Sequence, residues 1–123
     1  MEEKERHSLK ALTVEILEDG DSIKVFWQGR STERNPGIFL TPILTEVAER
    51  ASEGEKKIVM DFSKLEFMNS STVTPVAKLL EQIKKGTGSV LLSYTRAKKW
   101  QELSFSALKI FETEDERIMI TGI

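Results

Sequence analysis

The stretch from Asp61 to Ile83, DFSKLEFMNSSTVTPVAKLLEQI, constrains this chain more than any other. Just before and into it, Ile58-Val59-Met60-Asp61-Phe62 is a short, mostly apolar run of the kind that forms a central strand covered on both faces. Val59 is expected in its core. A few residues later comes the polar tripeptide Asn69-Ser70-Ser71. Val76, Ala77, Leu80 and Ile83 then recur at helical spacing until Gly86 ends the pattern. Pro75 removes a backbone donor, so it is expected in the first turn, which places the helix start between about Ser71 and Thr74. Hydroxyls are thus brought to a helix mouth, where backbone N–H groups are free and the dipole is positive. Capping and phosphate chemistry both occur at such places.

The remaining elements follow from the same reasoning. Leu12, Val14 and Ile16 alternate with polar residues, as do Ile23, Val25 and Trp27, so two half-buried strands flank the turn Glu18-Asp19-Gly20-Asp21. The polar connection GRSTERNPG leads to Thr41-Pro42, which reads as a cap and first helical residue. Ile43, Leu44, Val47, Ala48 and Ala51 form one face of that helix, and Gly54 ends it. Ser89–Tyr94 reads as a strand, and Lys98 to about Phe105 as a short helix with Trp100, Leu103 and Ala107 facing inward. Arg117–Thr121 reads as a last strand. Residues 1–10 read as a flexible polar leader and residues 11–123 as a single domain. The order β-β-α-β-α-β-α-β predicts an α/β fold: a mixed sheet with helices packed mainly on one face.

Composition narrows the chemistry. Of 123 residues, 39% are hydrophobic, which supports a modest core. A formal charge of −2 lacks the basic footprint that nucleic acid requires. With no cysteine, there is no disulfide framework and no thiolate metal site. The single histidine, His7, lies in a charged stretch and offers neither a triad nor a metal site. No apolar run approaches the ~20 residues of a membrane span, and MEEKERH has no signal-peptide core. A soluble cytoplasmic protein is expected, with no cofactor and no nucleic-acid partner.

Other polar groups read as structure. Asp61 and Glu66 have no second carboxylate fixed beside them and read as turn-stabilising or solvated acids. Gly86-Thr87-Gly88 lacks a following Lys-Ser/Thr and reads as a helix-to-strand loop. Lys98-Lys99-Trp100 reads as an amphipathic helix start rather than a stacking platform for bases. Trp27 and Trp100 read as core. With no nucleophile–base pair, metal cluster or nucleotide loop, an enzyme is not expected.

The element order and the Asp61–Phe111 segment resemble the STAS family, the anti-sigma-factor antagonist fold. That family shows Asp-Leu-Ser at a strand end, a spacer, then Asp-Ser-Ser-Gly-Leu-Gly at a helix start. Here Asp61-Phe62-Ser63 matches the first part, Lys64–Met68 the spacer, and Asn69-Ser70-Ser71-Thr72-Val73-Thr74 takes the signature position. Leu91-Leu92-Ser93 and Leu103–Phe111 resemble the family's later strand and third helix. Asn69 replaces the usual Asp, Thr72 and Thr74 replace two glycines, and Pro75 is an addition.

The resemblance implies a partner-switching regulator with Ser70 as phosphoacceptor and Ser71 or Thr72 as alternatives. It implies docking through Asn69, Ser70, Ser71, Thr72, Val73 and Thr74, joined by Arg30, Ser31 and Thr32 in the loop after the second strand. The implied partners are a serine/threonine kinase or anti-sigma-like factor and a phosphatase. The rival reading is a STAS subunit of a larger assembly, such as a transporter-associated complex, that is never phosphorylated.

Overall fold

A computed structural model describes residues 3–123. Six strands form one mixed sheet in the order β1-β2-β3-β4-β5-β6: Glu3–Leu9, Leu12–Glu18, Ser22–Ser31, Lys57–Met68, Val90–Tyr94 and Ile118–Gly122. The first three are antiparallel, and β3 to β6 run parallel. Helices α1 (Gly37–Gly54), α2 (Ser70–Lys85) and α3 (Lys99–Ser106) supply the crossovers, and a 3₁₀ turn, η1 (Ala107–Phe111), extends α3. The α/β architecture with a mixed sheet is therefore as the alternation of patterns predicts.

The core lies on one face of the sheet. Val14, Ile16, Val25, Trp27, Met60, Phe62, Leu92 and Ile120 point to it and are buried, as are Leu40, Val47, Val76 and Leu80 from the helices. Trp27 stacks on Phe62 with centroids 4.7 Å apart, and Phe62 meets Phe105 at 4.6 Å. Among the described residues, no helix covers the other face. Across it the register aligns Leu17, Lys24, Val59, Leu91 and Met119 in one row. Val59 sits in that row and is only half-buried, so the core of β4 is carried by its neighbours Ile58, Met60 and Phe62.

Several expectations need correction. The segment read as a leader is largely strand β1, paired along its length with β2 and turned by Lys10-Ala11; residues 1–2 lie outside the described residues. Ionic contacts hold it: Arg50 Nη2 on α1 donates to Glu5 Oε1 and Glu18 Oε1, both at 3.0 Å, and Lys56 Nζ reaches Glu18 Oε2 at 2.8 Å. His7 lies within this strand. Helix α1 begins at Gly37, not Thr41, and α2 at Ser70. Pro42 and Pro75 are each the sixth residue of their helix, a turn deeper than expected. On α3, Leu103 and Ala107 face solvent and Trp100 is half-buried. Gln101, Phe105 and Leu108 face the core instead: the period is helical, but the inward stripe begins at Gln101, whose buried amide is fully hydrogen-bonded to backbone groups.

The difference that matters most for the site is the length of β4. It continues to Met68 beside the end of β3, absorbing two extra residues at bulges between Phe26 and Gln28 and between Gly29 and Arg30. Asp61 Oδ1 accepts from Ser63 N at 2.8 Å within the first irregularity, the turn-stabilising role expected of it. Gly29, at φ +87°, allows β3 to pass the Ala11 carbonyl, where any Cβ would collide. The pairing ends at Ser31 opposite Met68, which delivers both chains to the mouth of α2.

Candidate functional site

Asn69 is the residue on which the site is built. Its backbone is extended and its side-chain Oδ1 accepts from Thr72 N at 3.1 Å, an N-cap that satisfies one of the free donors of α2. The same oxygen accepts from Thr72 Oγ1 at 2.7 Å. Asn69 Nδ2 donates to the Glu33 carbonyl at 2.8 Å, and its backbone N donates to the Ser31 carbonyl at 3.0 Å. One side chain therefore caps a helix and ties down the loop that follows β3. An aspartate, the usual residue in the resembled motif, could not make the bond to Glu33.

Thr72 and Ser31 lie behind this cap. Both are buried, and their hydroxyl oxygens are 2.7 Å apart. Because the Thr72 proton is directed to Asn69, Ser31 donates to Thr72. Thr72 as an alternative phosphoacceptor and Ser31 as a docking residue are thereby corrected: neither hydroxyl reaches solvent, and each serves the network that holds loop and helix together.

Ser70 and Ser71, by contrast, are exposed in the first turn of α2, as is Thr74, while Val73 is half-buried. Pro75 has no N–H, so the Ser71 carbonyl is left without its helical donor. Thr32 and Arg30 are exposed on the neighbouring strand end and loop. The Arg30 guanidinium lies 5.2 Å from the centroid of Phe67. Phe67 in turn contacts Trp100 at 6.3 Å. Exposed hydroxyls thus stand at the mouth of α2, and a cation stacked on an aromatic ring marks the paired ends of β3 and β4.

The sequence did not suggest Glu33, whose contribution is a backbone carbonyl. Nor did it suggest Gln101, which is buried on α3. Its Nε2 donates to the carbonyls of Phe62 (2.7 Å) and Leu65 (2.9 Å), and its Oε1 accepts from Thr95 N (2.6 Å). Lys98 Nζ adds a bond to the Ser63 carbonyl at 2.9 Å. These contacts hold the bulged end of β4, and so the height of α2, in place. Lys98, read as an outward lysine of an amphipathic helix start, is instead half-buried and turned inward to these carbonyls, while Lys99 is exposed; Gly86-Thr87-Gly88 is the loop between α2 and β5.

The fold and the capped helix mouth define a small mixed-sheet α/β domain with its candidate surface at one end of α2. No family model matches the chain, and no curated protein matches it in sequence. Solved structures do share its fold. SiaC of Pseudomonas aeruginosa is similar over 98% of this chain and 97% of its own, with a TM-score of 0.65 and 16% identity. A chain in the crystal structure of the diguanylate cyclase SiaD in complex with its activator SiaC, from the same organism, is similar over 97% of this chain and 99% of its own, with a TM-score of 0.66 and 16% identity. Among the described residues, no helix is long and apolar enough to cross a membrane.

Proposed function

We propose that this chain is a protein-binding regulator of the STAS type, switched by phosphorylation of Ser70, with Ser71 as the alternative acceptor. The carrying observation is the contrast at the mouth of α2: Ser70 is exposed while Thr72, two residues on, is locked inside. A kinase needs the first arrangement, and a rigid docking surface needs the second. The likeness to SiaC, the activator of the diguanylate cyclase SiaD, supports a protein as the docked partner. In the unmodified state the partner lies over Ser70, Ser71, Val73 and Thr74, with Thr32 and Arg30 at the margin. Phosphorylation places a group of about −1.5 to −2 charges on that contact and releases the partner, and a phosphatase restores it.

The test is a pull-down from native lysate with wild-type, Ser70→Ala and Ser70→Asp proteins, with phosphosite mapping on the wild type. Ser70→Ala is expected to capture the wild-type partners. Ser70→Asp is expected to lose them while keeping its melting temperature, since a helix N-terminus favours an anion by about 0.3–1 kcal/mol. Equal capture by all three, with no phosphate on Ser70 or Ser71, would overturn the switch and leave a constitutive subunit of a larger assembly.

A further inference from the structure

A groove runs from Ser70 along α2, between that helix and the α3–η1 segment. Met68, Val73 and Ala77 line it from one side, and Ser104 and Ala107 from the other. Beside it, two large apolar side chains stand in solvent: Leu103 is 75% exposed and Ile110 74%. With Ala107 they are spaced at i, i+4 and i+7 along α3–η1, a helical stripe turned outward. Buried residues of the same segment, Phe105 and Leu108, already satisfy the core. Exposed apolar groups gathered beside a groove mark an interaction site.

The charge around the groove is mostly positive. Lys78 and Glu81 line it, and Lys84 and Lys109 lie further along α2 and η1; none of the three lysines forms an ion pair among the described residues. The acid on this side, Glu81, is matched by Lys85 at 3.1 Å. Lys84 Nζ donates to the Ile110 carbonyl at 3.1 Å and ties α2 to η1 at the end of the groove away from Ser70.

We propose that this groove receives an amphipathic α-helix of the partner protein, with an apolar face and acidic flanks. The proposal rests on the docking reading above and names the partner's chemistry. Both long walls are helical and their backbone groups are paired internally beyond the mouth of α2, so an extended peptide would find no ladder to join. A helix brings its own hydrogen bonds and needs only side-chain contact. The stripe from Leu103 to Ile110 is about 10–12 Å long, or two helical turns. It suits apolar anchors at i, i+3 or i+4, and i+7. The lysines select acidic flanks, and they disfavour a second copy of this segment, which would bring Lys109 against Lys78. Ser70 lies at the open end, so a phosphate there adds negative charge where an acidic helix arrives.

The experiment uses the full chain carrying a photo-reactive phenylalanine analogue at position 103 or 110, cross-linked in native lysate, with the captured segment sequenced by mass spectrometry. The expected segment has apolar residues at helical spacing with Asp or Glu on both sides. That segment, made as a peptide, is expected to bind the wild type at least tenfold more tightly than Leu103→Asp or Lys78→Glu. Both changes are at exposed positions, and circular dichroism is expected to show unchanged folding. Cross-links to another copy of this chain, to a basic or non-helical segment, or to nothing would overturn the groove. So would a peptide indifferent to both variants. Ser70→Asp separates the two ideas. A peptide bound equally by wild type and Ser70→Asp leaves the groove standing and removes the switch. Partner capture that depends on Ser70 without cross-links at 103 or 110 does the reverse.

Discussion

The hydroxyl of Ser31, the last residue of β3, lies 2.7 Å from that of Thr72 in the first turn of α2, and the contact is buried. It joins two segments 41 positions apart and aligns the loop after β3 with the exposed serines. Removing one partner strands the other. Thr72→Val keeps the branched shape but leaves Ser31 and the Asn69 oxygen short of a donor or acceptor, and is expected to cost about 1–3 kcal/mol. Ser31→Ala leaves the Thr72–Asn69 bond intact and is expected to cost about 0.5–1.5 kcal/mol. The double variant should cost less than the sum, and urea unfolding of the four proteins measures that coupling.

Asn69 separates capping from tethering. Asn69→Ala loses the cap and the bond to Glu33, and the loss of the cap alone is expected to cost about 1–2 kcal/mol. Asn69→Asp can still accept from Thr72 N but turns an oxygen toward the Glu33 carbonyl. Its helix should therefore persist while the loop loosens. Hydrogen exchange is the discriminating measurement: the Thr72 amide stays protected in Asn69→Asp and opens in Asn69→Ala, whereas the residue-69 amide, which donates to the Ser31 carbonyl, exchanges faster in both.

The two faces of β4 give unequal costs. Phe62 is fully buried between Trp27 and Phe105, and Phe62→Ala is expected to cost about 3–5 kcal/mol. Val59 lies on the face without helices and is half-buried, so Val59→Ala is expected to cost less than about 1 kcal/mol. Equal shifts in chemical denaturation would mean that the open face is covered by something that also unfolds.

Elements whose pattern is decided by one buried face were legible. Leu12, Val14 and Ile16 alternate because one side of β2 meets the core, and Val76, Leu80 and Ile83 recur because one side of α2 does. Strand β1 escaped notice because both its faces are polar; its order comes from pairing with β2 and from Arg50, a residue far along the chain. The end of β4 escaped because bulges break its period at Ser63–Glu66. Within the site, Asn69 and Ser70 could be singled out as helix-mouth residues. The burial of Thr72 and Ser31 could not, because it follows from the register that sets Ser31 opposite Met68.

Acid should loosen the β1 side of the molecule. The hydrogen bond from Lys56 holds the Glu18 carboxyl below the ordinary glutamate range, with Arg50 acting in the same direction and partial desolvation opposing. A carboxyl with a depressed native value binds a proton more weakly folded than unfolded. Its stabilisation is therefore complete above the ordinary value, about 4.3, and is lost as pH falls through it toward the native value. Glu15 and Asp19, lowered chiefly by the Lys4 hydrogen bond and by the Ser22 backbone N–H, act with the same sign. Glu18→Gln isolates one contribution. It should unfold at lower urea than the wild type at pH 7, and the two midpoints should converge as the pH is taken below 4. Because Glu18 shares Arg50 with Glu5, exchange of the β1 amides should rise first in both acid and the variant. A constant difference between the midpoints across this range would show that the clasp of Glu5, Arg50, Glu18 and Lys56 does not hold β1 to the sheet.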